Sequence, residues 1–164
     1  MVREEHEIKT GLRPAGVVLD DASKAIIKEL QEDGRRPYAT IGRAVGLSEA
    51  AVRQRVQRLL DVGVMQIVAV TDPLQVGFPR QAMIGVRVDG ALEPVADALA
   101  EIPEVDHVVI TAGSFDLLVE VVCEDDDHLL DVLSRRIRCV SGVRETESFV
   151  YLKLRKQLYS WGTR

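Results

Sequence analysis

Apolar positions along this chain follow a helical period in its first third and a strand-like rhythm further on. Ile26, Ile27 and Leu30 share one face of a helix expected from Leu19 to Asp33, and Asp20 and Asp21 suit its start because carboxylates offset the positive end of a helix dipole. Gly34-Arg35-Arg36-Pro37 breaks that helix, Thr40 to Val45 forms a short second one, and Ser48 opens a third that Gly63 stops. Met65 to Val70 is a strand-like run, either a wing that pairs or the start of a linker. Pro73, Gly77 and Pro79 then give residues 71–80 the composition of a hinge. Beyond it, Ala82 to Val88 alternates as a strand, and Leu92, Val95, Leu99 and Ile102 mark a helix. Val105 to Thr111 and Leu117 to Cys123 are strands around the turn Ala112-Gly113-Ser114-Phe115-Asp116. A further helix is expected from about Asp126 to Val140, with Leu129, Leu130, Leu133 and Ile137 inward, and a last strand from Val143 to Leu154.

The junction between the second and third helices carries the first functional signal. Gly46 admits a positive φ that ends one helix, and the hydroxyl of Ser48 can accept from an orphan N–H of the next. Ile41, Val45, Leu47 and Val52, with the small Gly42, let two short helices cross closely over one core, as in a helix-turn-helix. On the third helix Val52, Val56 and Leu59 form the inner stripe, while Ala50, Gln54, Gln57 and Arg58 fall opposite with Arg53 at the edge. Such a face suits a DNA major groove, where Arg matches guanine, Gln matches adenine and small residues permit close approach. Ala50, Arg53, Gln54 and Gln57 are therefore the candidate base readers, and Arg43, Arg55 and Arg58 the candidate phosphate contacts, with Ser48 capping the helix they stand on. Arg55 lies near the core side and also suits a brace within the fold.

The second half has the order βαββαβ, with a faint repeat between Ile102-Pro103-Glu104-Val105 and Val140-Ser141-Gly142-Val143. Two βαβ halves make a ferredoxin-like layer of four antiparallel strands with both helices on one face. The other sheet face is left bare, so two chains are expected to pack sheet to sheet as a homodimer. The expected fold class is thus α+β: a winged helix-turn-helix domain over residues 19–70, a hinge over 71–80 and a ferredoxin-like domain over 81–154. Flexible tails are expected at 1–18 and 155–164.

Composition narrows the partners. The formal net charge of −5 over 164 residues excludes a protein that coats nucleic acid by charge alone, and argues against a ligand-independent architectural DNA protein. DNA contact has to be local and doubled by a dimer. No apolar run reaches the roughly eighteen residues of a membrane span, and residues 1–13 lack the apolar core of a signal peptide, so a cytoplasmic protein is expected. Cys123 and Cys139 have no metal or redox spacing and are expected as buried, reduced thiols. His6, His107 and His128 are scattered and form no catalytic set. Glu124 to His128 fits a helix cap better than a metal site. No cofactor and no metal is expected, and Tyr151, Tyr159 and Trp161, interleaved with Lys153, Arg155 and Lys156, suit an extension that packs on a neighbouring subunit, with a nucleic-acid stacking surface as the alternative.

Leu19-Asp20 before Ile26-Ile27 and Leu30, Asp33-Gly34-Arg35, Val45-Gly46-Leu47-Ser48, Val52 to Leu59 and Gly63-Val64 occur in the order found in one family's DNA-binding domain. Asp72-Pro73 with Gly77 matches its hinge, and Ile102-Pro103-Glu104-Val105 with Thr111 to Asp116 its effector domain. Across residues 19–154 the chain resembles the Lrp/AsnC family of feast/famine transcription regulators. The resemblance implies a double-stranded DNA operator as partner, dimers assembling to tetramers or octamers, and an amino acid or related metabolite as effector, bound between dimers. Carried over, the effector residues are Thr111, Gly113, Ser114, Phe115 and Asp116 of the turn, with Thr146 and Ser148 of the last strand. A glycine lets N–H groups approach a carboxylate, and Asp116 can accept from an ammonium group; an ordinary hairpin in which Asp116 bonds the backbone is the alternative. Ser114 stands where the family usually has Asp or Asn, Phe115 where Tyr is common, and Ser23 where an acid is common. Sirohaem decarboxylases are similar in both domains, with His107 the residue suited to such chemistry, but Asp106, Glu104 and Glu101 around it are ill suited to a tetrapyrrole's carboxylates.

Overall fold

The structure, a computed structural model, describes residues 18–156. In sequence it divides between Ala69 and Val70 into two compact units. The expectations for residues 1–17, Tyr159 and Trp161 lie outside the described residues.

Among the described residues the first unit holds three helices, α1 (Asp21–Glu32), α2 (Tyr38–Val45) and α3 (Glu49–Asp61). Asp20 caps α1 by accepting the Ser23 N–H at 2.8 Å. Ser48 caps α3 by accepting the Ala51 N–H at 3.2 Å. Gly46 ends α2 at φ 72°, the left-handed conformation expected of it. Ile26, Ile41, Val52 and Val56 close one core, with Tyr38, Val45, Leu47 and Met65 packed against it. The crossing of α2 with the turn depends on Gly42, where a Cβ would stand 2.5 Å from the Leu47 carbonyl oxygen.

Met65 to Val70 is not a strand. Residues 65–72 have no regular structure, and Ile67, Val68 and Val70 are exposed. A strand is held by pairing its N–H and C=O groups with a neighbour, and no other strand lies in this unit among the described residues. The helix-turn-helix therefore carries no wing within the described chain, and the run is the linker alternative.

The second unit contains β1 (Arg80–Val88), α4 (Leu92–Ala100), β2 (Val105–Ile110), β3 (Leu117–Cys123), α5 (Asp126–Asp131) and β4 (Val143–Val150). The strands form one antiparallel sheet in the order β2-β3-β1-β4. Ala82, Ile84 and Val86 of β1 and Leu117, Val119 and Val121 of β3 point into a core shared with Val95, Leu99, Val132 and Ile137 of the helical layer. The ferredoxin-like expectation holds.

The last helix departs from its expected form. After α5 the chain passes through a π turn, Val132–Arg136, and a 3-10 turn, Ile137–Cys139. The inward face runs from Leu129 to Val132, three residues on, so Val132 is fully buried and Leu130, expected inward, is 62% exposed. Cys139 is likewise exposed, against expectation, whereas Cys123 is buried. β4 ends at Val150 rather than Leu154.

Candidate nucleic-acid interface and effector turn

α3 presents the polar face that its periodicity predicts. Ser48, Ala50, Arg53, Gln54, Gln57 and Arg58 are exposed, and Arg43 of α2 is exposed as well. Arg53 donates to Glu49 Oε1 at 2.8 Å, and its guanidinium lies 5.2 Å from the centre of the Tyr38 ring. Gln57 donates through Nε2 to Asp61 at 2.8 Å, and Arg43 donates to the Thr40 hydroxyl at 3.2 Å. Sequence patterning found the exposed residues but missed the stacking of Arg53 on Tyr38, because Tyr38 belongs to the neighbouring helix.

Arg55 has a different environment. It donates to Asp20 Oδ2 at 2.6 Å and to the Ser23 hydroxyl at 3.2 Å, tying α3 to the start of α1. The Ser23 hydroxyl, the Ser23 N–H and Arg55 together hold the Asp20 carboxyl down at about 2. The brace alternative for Arg55 is thus present in the structure.

In the second unit the Ala112–Asp116 turn is held by its own residues. The Thr111 N–H donates to Asp116 O at 2.8 Å, and the Thr111 hydroxyl to Phe115 O at 2.5 Å. Asp116 donates its N–H to Val86 O and accepts the Val88 N–H on Oδ2, each at 2.9 Å. The backbone bond considered as an alternative for Asp116 is therefore made, and it occupies one carboxylate oxygen.

Phe115 lies over Gly85, where a Cβ would stand 2.7 Å from ring atoms, so only glycine leaves room for the ring. Phe149 meets the Phe115 ring edge to face at 6.0 Å. The Arg87 guanidinium sits 4.9 Å from the Phe115 ring centre, while Arg87 bonds Ser114 O at 3.0 Å and Glu145 at 2.6 Å.

Thr146 and Ser148 lie elsewhere. They pair with Val86 and Ile84, whose side chains enter the core, so they point to the helical side of the edge strand β4. Phe115, packed over Gly85, is on the opposite face. Within one chain the candidate effector residues thus form two groups rather than one pocket. Thr146 accepts from Arg138 Nε at 2.9 Å, beside a shallow cavity of about 310 Å³ lined by Arg138, Val143, Arg144, Glu145 and Thr146. Arg87 and Arg138 were not anticipated, since only the fold brings them to the turn and to β4.

The acidic run before α5 acts as a cap, with Asp125 accepting the His128 N–H at 2.7 Å. His128 accepts the Glu124 N–H on Nδ1 and meets Glu104 through Nε2 at 3.2 Å, while Arg136 grips both Glu104 oxygens at 2.9 and 2.7 Å. These groups join the helical layer to the entry of β2. Burial, aided by the Glu104 charge, pushes the Cys123 thiol up to about 11, which leaves it protonated and unreactive near neutrality. No group of three or more potential metal ligands occurs among the described residues, and none of their helices is long and apolar enough to cross a membrane.

Comparison with known proteins agrees with this architecture. A family model described as an AsnC-type helix-turn-helix domain matches residues 19–60, and one described as a C-terminal dimeric alpha+beta barrel domain matches residues 78–164. An HTH-type transcriptional regulator of Pyrococcus abyssi is 32% identical, over 99% of this chain and 97% of that protein. The leucine response regulatory protein of Mycobacterium tuberculosis is 30% identical, with a TM-score of 0.75 over 86% of this chain and 100% of that one. A transcriptional regulator of Neisseria meningitidis, solved as a complex with L-Met, is 27% identical, with a TM-score of 0.75 over 86% of this chain and 94% of that one. A capped helix-turn-helix followed by a βαββαβ domain of the dimeric kind, matched along nearly its whole length by such regulators, places this chain in the Lrp/AsnC family of transcriptional regulators.

Proposed function

We propose that this regulator binds an operator as a dimer and that an amino acid or closely related metabolite adjusts its oligomeric state and operator affinity. The observation that carries the DNA half is the exposed face of α3, with its amides and guanidiniums set on a helix whose cap and turn are fully formed. Two such helices, one from each chain, enter successive major grooves of a pseudo-palindrome. Ala50, Arg53, Gln54 and Gln57 contact bases, and Arg43 and Arg58 contact phosphates. Ser48 sets the start of α3, and Arg55 keeps α3 in register with α1 rather than spending its charge on DNA.

For the effector, the support is the self-held turn together with the relatives, one bound to L-Met and another named for its leucine response. Thr111 and Phe115 stiffen the turn, Gly113 and Ser114 offer their N–H groups to a carboxylate, and the second oxygen of Asp116 faces an ammonium group. Thr146 and Ser148 belong to the same site only across an interface between chains, because one chain holds them on the other side of its sheet. A ligand bridging chains shifts the assembly that it fits, typically by about 1 to 3 kcal/mol of coupling.

The test is thermal melting of the purified full chain against the common amino acids, keto acids and polyamines, with sizing alongside. A ligand that binds only the native state raises the melting temperature by mass action. A hit that also shifts oligomer size supports the sensor function. No stabilisation by any compound, with one unchanging assembly, argues against it and leaves a DNA organiser.

A further inference from the structure

The geometry points to Glu49 and Arg53 as a single recognition unit for one G·C base pair, with Tyr38 as its positioning residue. This rests on the operator-binding function proposed above and adds to it the identity of one base pair. Glu49 is the first residue of α3 and Arg53 lies one turn on, at the end of the helix that leads into the groove. Both side chains are more than half exposed and open to a ligand.

The separation of the two groups matches a base-pair edge. Arg53 Nη2 and Glu49 Oε1 are 2.8 Å apart. In the major groove a G·C pair presents guanine N7 and O6 as acceptors, followed by the cytosine N4 amino group as a donor. O6 and N4 are themselves joined by a Watson–Crick hydrogen bond, so they lie about 2.9 Å apart. A guanidinium N–H facing O6 and a carboxylate oxygen facing N4 need that same spacing, and the pair already has it. Of the five guanidinium donors, one remains on Glu49, and two others point to O6 and N7. The four groups close a ring in which every donor meets an acceptor.

An A·T pair offers a poorer match. Thymine O4 could accept one Arg53 N–H, but the next neighbour on that base is the C5 methyl group. On the adenine side N6 could donate to Glu49, yet N7 beside it is an acceptor that repels the carboxylate. Tyr38 keeps the unit from swinging away: its ring lies 5.2 Å from the Arg53 guanidinium and belongs to α2, so the stack fixes Arg53 relative to both helices. An arginine free to roam would be satisfied by any phosphate.

The experiment is selection of bound duplexes from a random-sequence pool by the full-length protein, followed by affinity measurements on the selected site and on its single base-pair variants. Wild type should enrich a two-fold symmetric site with one G·C pair per half-site whose replacement costs on the order of tenfold in affinity. Arg53→Ala should abolish discrimination at that pair. Glu49→Ala should cut it severalfold while binding random duplex more tightly than wild type, because a negative charge facing phosphates has gone. Tyr38→Leu should weaken discrimination at the same pair only. A merely structural Glu49 would lower specific and random binding together and lower the melting temperature, and that result would overturn the proposal. Unchanged discrimination in Glu49→Ala and Glu49→Gln, while Arg53→Ala loses it, would overturn the joint unit and leave arginine reading alone. Failure of wild type to enrich any site would overturn operator binding itself.

Discussion

Replacing Gly42 by alanine sets two effects of opposite sign against each other. Gly42 is interior to α2, and alanine is better than glycine in a helix by about 1 kcal/mol. Propensity alone thus predicts a gain. The added Cβ, however, would stand 2.5 Å from Leu47 O and 3.5 Å from the carbonyl carbons of Leu47 and Ser48. These are backbone atoms and cannot turn away like a side chain. Overpacking of this kind costs about 1 to 3 kcal/mol. The Leu47 N–H to Gly42 O bond of 2.9 Å is strained by the same displacement, at about 1 kcal/mol. The clash wins, and a net loss of about 2 kcal/mol, or roughly 10 °C in the melting of this small unit, is expected. Gly34→Ala is the control, since its Cβ would meet nothing closer than 3.8 Å and its φ is not positive; it should be neutral or stabilising by up to about 1 kcal/mol. Urea and thermal unfolding of both variants, followed by helical circular dichroism, decide the matter. A Gly42→Ala protein as stable as wild type would refute the close crossing of α2 with the turn.

Asp20 gives a pH prediction: its carboxyl is held at about 2 in the fold against an ordinary value near 4, so its stabilising share is complete above about 4 and disappears as pH falls towards 2. Urea midpoints of wild type should therefore fall more steeply across that window than those of Asp20→Asn. On DNA, Arg43→Ala and Arg58→Ala should weaken specific and random duplexes alike and each reduce the salt slope by about one, whereas Gln54→Ala should relax preference at one position, all read by binding titrations at several salt concentrations. Asp116→Ala removes a backbone acceptor as well as the proposed ligand contact, so it should lower the melting temperature slightly and abolish the response to any amino acid that stabilises wild type; an undiminished response would remove Asp116 from the proposed effector site.

Much of this molecule was legible locally. Ser48 and Gly46 mark the turn because a hydroxyl cap and a positive φ are properties of single residues, and Val52, Val56 and Leu59 mark the buried stripe of α3 because helical spacing repeats. What sequence missed depends on partners distant in the chain or on altered winding. The apolar side chains of Ile67, Val68 and Val70 suggested a strand, but strand character is conferred by a neighbour, and the described chain supplies none there. Leu130 is exposed because Leu129 and Val132, three residues apart, carry the buried face at α5, and Cys139 stands exposed in the 3-10 turn that closes the segment. Thr146 and Ser148 are joined to the 111–116 turn by family pattern as a site between dimers, and within one chain the β1–β4 register sets them on the other side of the sheet. Arg87 over Phe115, and Arg136 on Glu104, join residues far apart in the chain and carry no local signature.

Hydroxyl-radical footprinting of the full-length protein on a duplex selected from a random pool tests the central claim most directly. Two protected half-sites on one face of the duplex, about one helical turn or a multiple apart, with protection lost when one half-site is scrambled, are expected of a dimer that reads through paired α3 helices. Protection spread evenly along the duplex, indifferent to its sequence, would contradict it.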